Sequence, residues 1–559
     1  RLRRLVLPMG LFRAEIEALL SSDNMSKNKF QTENQSQTEN KTNWLYLAGF
    51  FLIASTPLFN LPPWLSPPDW GKAIVLRIAL SLLLLYFAWS QLGKKSGGFE
   101  IKSKISSAKP AFFLLIALFL AFLLSTLFSL DVNFSLWGSP YRAGGFVTFA
   151  SFIILALLTF FTLKKSDWQK LWDFVFFVGI LVSLVAIFQL FGIFKSLLVS
   201  FETRPPSTVG GPTFLAMYLL LLSFLALGFG VKEKKLAKKL FYLASLGIFL
   251  IVILLTWTRA AYIGLALGAL YFLLLYPKKL KTLKIAVLAI LIAAILFIYY
   301  YSSQPEQNAQ TDNASRGVLS RFSIEDLKQD PRISGWKVAS QALKDRPIFG
   351  YGPENFYIGF DKHYDPSLPK IQTAPGTPTS WWDRAHNFIL DIGVTAGIPA
   401  LLLYLSLFFV LSWQLQNLKN KDRENAVPCH GIQAAFLAYF TANFFGFDVF
   451  STYLILFLIV GYSLFLISAG FGQEPLSPVA LAPKKQKFLL WLVKNRALLL
   501  FLLSTIVVWF IFNYNLKPFQ INTGINAAKY LVNNDNCQKG VDIMEEAKKK
   551  GSTYLDAYF

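Results

Sequence analysis

Apolar runs of about 20 residues recur along the chain, each long enough to cross a hydrocarbon core of roughly 30 Å as a helix. They fall near 44–60, 72–92, 111–130, 143–163, 172–194, 213–230, 240–257, 260–276, 283–301, 387–411, 431–447, 450–469 and 488–512. A backbone inside lipid must satisfy its own hydrogen bonds, so each run is expected to be helical. Composition agrees: of 559 residues, 54% are hydrophobic and 15% charged, too few polar groups to cover a soluble protein of this size. The chain therefore reads as an all-α, polytopic transmembrane bundle of about 13 spans.

The connecting segments set the orientation. Those at 93–110, 164–171, 231–239, 277–284, 412–430 and 470–487 hold about 23 Lys and Arg, and the alternating ones about four. This bias predicts that the first set and the N-terminus are cytoplasmic. It also explains the formal net charge of +22 as a topology signal rather than a nucleic-acid face. The stretch 240–276 is nearly continuous in apolar residues, but lysine clusters flank both of its ends. Ends on one side require an even number of crossings, so the stretch must be a hairpin turning at Thr256-Trp257-Thr258-Arg259. Arg259 is thereby delivered to the outer surface.

The same parity places 302–386 outside as a large, partly helical loop. Apolar residues at 333, 336, 339 and 343 form a helical stripe ended by Pro347. Gly350-Tyr351-Gly352-Pro353 and a Pro/Thr-rich stretch at 366–379 follow. The resulting organisation is a polar N-terminus at 1–43 that composition makes disordered, a bundle at 44–301 and 387–512 interrupted by the 302–386 loop, and an extracytoplasmic tail at 513–559. The tail reads as two amphipathic helices split near Asn533–Asn536, like one tetratricopeptide (TPR) pair, and as truncated because a lone pair cannot bury its apolar face. Met25 precedes the polar tract and reads as the natural start.

Cys429 and Cys537 fall on opposite sides of the membrane and are not expected to pair. No His/Cys/carboxylate set has metal-site spacing and no phosphate-binding or dinucleotide glycine motif occurs, so neither a metal nor a cofactor is expected.

Chemistry-bearing side chains gather on the outer segments. Arg204 precedes a span, Arg259 sits at the hairpin turn, and Arg332 and Trp336 open the loop helix. Asp383, Arg384, His386 and Asn387 lead into the tenth span. A guanidinium near hydrocarbon must snorkel or be paired, and its planar fork suits phosphate oxygens. Arg204 and Arg384 fit an interfacial anchor or a salt bridge to a carboxylate such as Asp383 as well as they fit a substrate contact. For Arg259, inside an otherwise apolar hairpin, the functional reading is favoured. His386 can take a proton near neutrality, or cap a helix. Gly393 and Gly397 form a small-xxx-small face expected to admit another helix closely, and Asp391 lies one turn into the span.

Several linked segments resemble the O-antigen ligase and Wzy-type O-antigen polymerase superfamily of bacterial membrane glycosyltransferases. They are Ser207-Thr208-Val209-Gly210-Gly211-Pro212-Thr213-Phe214-Leu215-Ala216, Thr256-Trp257-Thr258-Arg259, Gly335-Trp336, Arg346-Pro347-Ile348-Phe349-Gly350-Tyr351-Gly352, and Ala385-His386-Asn387 running to Gly393, Gly397 and Ile398. The likeness covers roughly 110–415. The family usually has an asparagine soon after the first of these elements, which is a variant here.

The resemblance implies a polyprenyl-diphosphate-linked glycan donor, and a glycan, lipid or protein acceptor reached at the outer face of the bacterial cytoplasmic membrane. It implies Arg259 and Arg332 on the diphosphate with Arg204 assisting, and His386 as base or orienter of the acceptor. Arg384, Asp383, Asn387 and Trp336 complete the expected substrate-binding set. The expected activity is a metal-independent, ligase-like glycan transfer. Alternatives are a Wzy-type polymerase, a protein O-oligosaccharyltransferase whose helical tail presents a protein partner, and a transporter of a lipid-linked precursor. Transporters place ionisable groups at mid-bilayer and show repeats, whereas the charges here read as lying at loop edges.

Overall fold

A computed structural model describes residues 43–60, 68–92, 104–139, 141–193, 204–276, 285, 330–366, 371–374, 377–379, 381–422, 424–470 and 494–551. The expected span near 283–301 apart from residue 285, the polar N-terminus before residue 43 and the whole 302–329 segment lie outside the described residues. Every other expected span falls on a helix. Eight helices among the described residues are long and apolar enough to cross a membrane, and three shorter apolar ones accompany them.

The first half of the bundle comprises α1 (Trp44–Ala54), α2 (Pro68–Leu92), α3 (Lys109–Leu127), the short α4 (Val132–Trp137), α5 (Phe146–Thr162) and α6 (Lys165–Leu190). It continues with α7 (Pro212–Lys232), α8 (Leu236–Leu255) and α9 (Arg259–Leu274). The loop contributes α10 (Pro331–Asp345), α11 (Phe356–Lys362) and a hairpin of β1 (Ile371–Ala374) with β2 (Thr377–Thr379), antiparallel with Ile371 opposite Thr379. The second half holds α12 (Phe388–Lys421), α13 (Ala426–Asn443), α14 (Phe450–Gly470), α15 (Arg496–Ile511), α16 (Lys517–Asn533) and α17 (Cys537–Lys549).

Of the eight long apolar helices, α7 and α14 are the most enclosed. Lipid gives helices no hydrophobic reason to associate, so small residues that permit close packing carry much of the contact. A side chain at Gly264 or Gly268 of α9 would collide with α13 or with Phe224 of α7, and Gly228 of α7 lies against Gly431 of α13. The expected hairpin is present: α8 ends at Leu255, Trp257 takes a left-handed φ of 52°, and α9 starts at Arg259.

The charges are not all at loop edges. Lys72 and Arg77 of α2 are buried, with Lys72 donating to the Thr208 carbonyl at 2.7 Å and Arg77 to the Thr148 hydroxyl at 2.6 Å.

The loop has its own small core. Val338, Ala339 and Ala342 of α10 pack with Tyr351, Phe356, Phe360, Trp382 and Val394. The expected helix is present, but of its expected stripe only Ala339 and the partly buried Leu343 join this core, while Ile333 is exposed and Trp336 packs on Phe444 and Phe445. α10 begins with Asp330 accepting from the Arg332 N–H at 2.9 Å, with Pro331 in the first helical position.

α12 departs from the sequence reading. It is broken at Gly397 (φ 85°), two residues before Pro399. The loop backbone fills the break: the N–H groups of Tyr351 and Gly352 donate to the Val394 and Thr395 carbonyls at 2.9 and 2.8 Å, and Ile398 N–H donates to the Pro347 carbonyl at 2.7 Å. A Cβ at Gly397 would collide with the Ile348 carbonyl. Gly397 is therefore the break itself, and its close neighbour is a loop strand rather than a second helix.

At the far end, α15 continues through a π-helical turn at Phe512–Leu516 into α16. This single rod of 38 residues is about 57 Å long, so the backbone has no boundary at residue 513. α17 packs back against α16, giving a helical pair split after Asn533.

Candidate functional site

The ends of α7, α9, α10 and α12, the α13–α14 turn at Phe445–Phe447 and the α4–α5 link meet at one end of the bundle. They enclose two cavities, of about 650 Å³ and about 130 Å³. Thr213, Phe445 and Arg332 line both. The two cavities are neighbours, and a guanidinium is part of their common wall.

The smaller cavity gathers Arg204, Arg259 and Arg332, with Trp257, Thr258 and Ala260. Arg204 is held by the Thr256 carbonyl at 2.8 Å and the Thr258 hydroxyl at 3.3 Å. Arg259 is presented by the first turn of α9, and Arg332 by the first turn of α10. Helix N-termini carry partial positive charge, which adds to that of the side chains. No carboxylate is among the residues lining this cavity. Burial lowers the Arg332 pKa, Asp330 opposes that shift, and Arg259 reinforces it by like-charge repulsion. A bound anion would relieve that crowding.

His386 lines the larger cavity. Its backbone is left-handed, with φ 48°, a strain that persists only where neighbours over-determine it. They do so here. Trp336 Nε1 donates to the Ala385 carbonyl at 3.0 Å, and Asn387 caps α12 by accepting from the Ile389 and Leu390 N–H groups. The imidazole lies edge-on between Trp382 and Phe447, at ring distances of 5.1 and 5.0 Å. Gly335 is required beneath it, since a Cβ there would press on the Trp382 ring.

Nδ1 of His386 lies 3.1 Å from the Arg384 carbonyl. A carbonyl can only accept, so Nδ1 carries the proton and Nε2 keeps its lone pair. Burial, opposed by Asp383 and reinforced by Arg332 and Arg142, pushes the imidazole pKa down to about 4. At neutral pH the ring is uncharged.

The remaining sequence-selected residues take other places. Arg384 is clamped between Glu354 and Asp391, the latter at 3.3 Å, with 11% of its side chain exposed. Its charge is already met, in the ion-pair role that the sequence left open. Asp383 pairs with Arg142 at 2.9 Å. Asn387 is a buried helix cap, and Trp336 braces the His386 segment while packing on Phe444 and Phe445; neither lines the two cavities.

Two residues were missed by the sequence reading. Arg142 lies over the rings of Phe447 and Tyr141 at 4.9 and 5.1 Å, and its only sequence signal was being the lone cation of its segment. Glu354 accepts from the Ser139 N–H and hydroxyl at 3.2 and 3.1 Å, and nothing local distinguished it.

This arrangement sets an uncharged imidazole with a free ring nitrogen beside a cluster of guanidiniums. The segment that carries Arg259, Arg332, Arg384 and His386 matches a known family model, that of O-antigen ligase, over residues 243–405. The chain carries an O-antigen ligase domain. The match begins within α8, takes in α9, α10 and the His386 segment, ends within α12 beyond its break, and leaves Arg142, Arg204 and Thr213 outside it. With the apolar helices, the O-antigen ligase match supports a membrane protein of ligase or polymerase type in polysaccharide biosynthesis. No curated protein matches the chain.

Proposed function

We propose that the protein transfers a glycan from a polyprenyl diphosphate carrier to an acceptor at the outer face of the bacterial cytoplasmic membrane. One observation supports this most: Arg332 lines both the cationic cavity and the cavity of His386. The diphosphate occupies the cluster of Arg204, Arg259 and Arg332, whose preorganised positive charge stabilises the leaving group without a metal. The acceptor group lies beside His386.

The acceptor oxygen attacks the anomeric carbon, and its proton passes to His386 Nε2. The bond from that carbon to the diphosphate oxygen breaks, and the diphosphate leaves with the bonding pair. The proton returns to solvent as the site opens. The free imidazole is too weak a base for this with a pKa near 4. Diphosphate charge next to Arg332 offsets the cations that depress it, so donor binding raises its basicity.

Sidedness in this reading follows the lysine and arginine bias, with the N-terminus cytoplasmic and the C-terminal tail outside. The test is transfer of lipid-linked glycan in membranes carrying His386→Ala or Arg259→Ala. Loss in both supports the assignment, and wild-type rates in both overturn it. A product that lengthens with time marks polymerisation, and a pre-made chain moved intact marks ligation.

A further inference from the structure

The loop segment that fills the break in α12 carries an open apolar edge that the steps above do not use. Ile348 is 61% exposed, and Phe128 and Leu130, in the turn after α3, are 54% and 55% exposed. None of the three lines either cavity. The two segments are fastened together. Phe128 and Phe349 stack at 4.5 Å, Arg346 Nη2 donates to the Phe128 carbonyl at 2.7 Å, and Leu130 N–H donates to the Tyr351 carbonyl at 3.3 Å. On its other side the Ile348 carbonyl lies against Gly397. Large apolar side chains left open together mark a contact surface.

The level of this edge along the bundle identifies what covers it. Beyond the break, 398–421 of α12 is about 36 Å long, enough by itself to cross a hydrocarbon core of roughly 30 Å. The break therefore stands near a membrane boundary. α3 ends level with it, Ser125 Oγ donating to the Thr395 carbonyl at 3.0 Å. Below that level each helix turns an exposed apolar stripe outward at helical spacing, Leu120, Leu124 and Leu127 on α3 and Leu402, Leu405 and Phe409 on α12. Ile398, exposed just past the break, continues the second stripe up to the loop, its N–H held by the Pro347 carbonyl. The loop edge thus prolongs a lipid-facing surface. A side chain of this size gains about 1.5–3 kcal/mol on leaving water for hydrocarbon. Lys344, which is exposed, and Arg346 flank the edge with cations, and Asp345 between them is engaged by Lys362 and His363 at 2.6 and 2.7 Å.

We propose that Phe128, Leu130 and Ile348 form a wedge by which the large loop inserts into the bilayer, covered by phospholipid acyl chains, with Lys344 and Arg346 reaching headgroup phosphates. The wedge follows the last turn of α10, so the bilayer sets the height of the helix whose first turn presents Arg332. On the transferase reading above, this holds Arg332 near the plane in which the diphosphate of a lipid carrier lies. The insertion itself does not depend on that reading.

The test uses the full chain, with Cys429 and Cys537 replaced by serine, in nanodiscs of phosphatidylethanolamine and phosphatidylglycerol. An environment-sensitive fluorophore is placed on a single cysteine at 348 or 130. It is compared with one at 402, on the outward stripe of α12, and one at 534, past the far end of α16. Lipids carrying a nitroxide on the acyl chain should quench 348 and 130 nearly as strongly as 402 and leave 534 bright, and aqueous iodide should do the reverse. Ile348→Glu should weaken nitroxide quenching at 130 several-fold, because a carboxylate resists entry into hydrocarbon. Ile348→Leu should leave it as it was, which separates insertion from damage to the fold. Iodide quenching at 348 and 130 equal to that at 534 overturns the wedge. Protection from iodide without nitroxide quenching also overturns it, since protein would then cover the edge, as does unchanged quenching at 130 in Ile348→Glu. No donor or acceptor is present in these measurements, so their failure leaves the diphosphate assignment to its own test with Arg259→Ala.

Discussion

The imidazole Nδ1 of His386 donates to the carbonyl oxygen of Arg384, 3.1 Å away. This contact fixes the tautomer, and the Arg384 side chain is itself clamped by Glu354 and Asp391. The free nitrogen, Nε2, is thus aimed by a buried ion-pair network rather than by its own rotamer alone.

The depressed pKa of His386 predicts the pH dependence. The ring stays neutral down to about pH 4, so the acid limb of kcat/KM, which reports the free enzyme, should lie near 4 rather than 6.5. The acid limb of kcat should lie higher, because bound diphosphate offsets Arg332. Arg332→Ala removes a depressing charge and should move the kcat/KM limb toward neutrality. Unfolded chains take up this proton near 6.5 and the folded protein near 4, so stability should fall as pH drops through that window. Rate profiles and thermal melts from pH 4 to 8 check both.

Arg384 should behave as a structural residue. Removing it leaves Glu354 and Asp391 buried without their cation, a loss of about 3–5 kcal/mol. Arg384→Met should lower Tm sharply, and Arg384→Lys should restore little, since one ammonium cannot span both carboxylates. Among variants that fold, KM for the lipid-linked donor should stay near wild type. A raised donor KM with unchanged Tm would point to a diphosphate contact.

Gly397→Ala should prevent a stable fold. It forces a left-handed alanine and drives Cβ into the Ile348 carbonyl, for a combined cost above about 2 kcal/mol. Gly393→Ala meets only ordinary contacts with Leu343 and Leu401, and should be far milder. Yield of monodisperse protein in detergent separates the two.

Sidedness has its own check. With Cys429 and Cys537 replaced by serine, single cysteines at positions 141 and 381 should react with a membrane-impermeant thiol reagent on intact cells. Single cysteines in place of Lys165 or Glu424, which pair on the exposed surface at the other end of the bundle, should react only after permeabilisation.

The features legible in the sequence are those written in local pattern. Apolar run lengths, the lysine flanks of 240–276 and the stripe at 333–343 gave the helices, the Thr256–Arg259 turn and α10. Parity put the segments of Arg204, Arg259 and Arg332 on one side, and the family resemblance grouped the three arginines. Contacts between distant segments left no local trace: Arg142 meets Asp383 across 241 positions, and Ser139 meets Glu354 across 215. Gly397 was misread because glycines four apart look alike whether they admit a helix, as Gly393 does with Leu343 of α10, or break one. Pro399 was the overlooked signal, since proline disfavours helical geometry in the residue before it and removes a backbone donor.

The central claim is that Arg332 and His386 serve one transfer event, and a double-mutant cycle tests it most directly. Transfer rates are measured for Arg332→Ala, His386→Ala and the double variant, with folding confirmed by melts. Each single change should cost at least about a hundredfold, and the double no more than about the worse single, as for groups acting on one transition state. Losses that multiply, or singles that retain wild-type rates, would contradict the account.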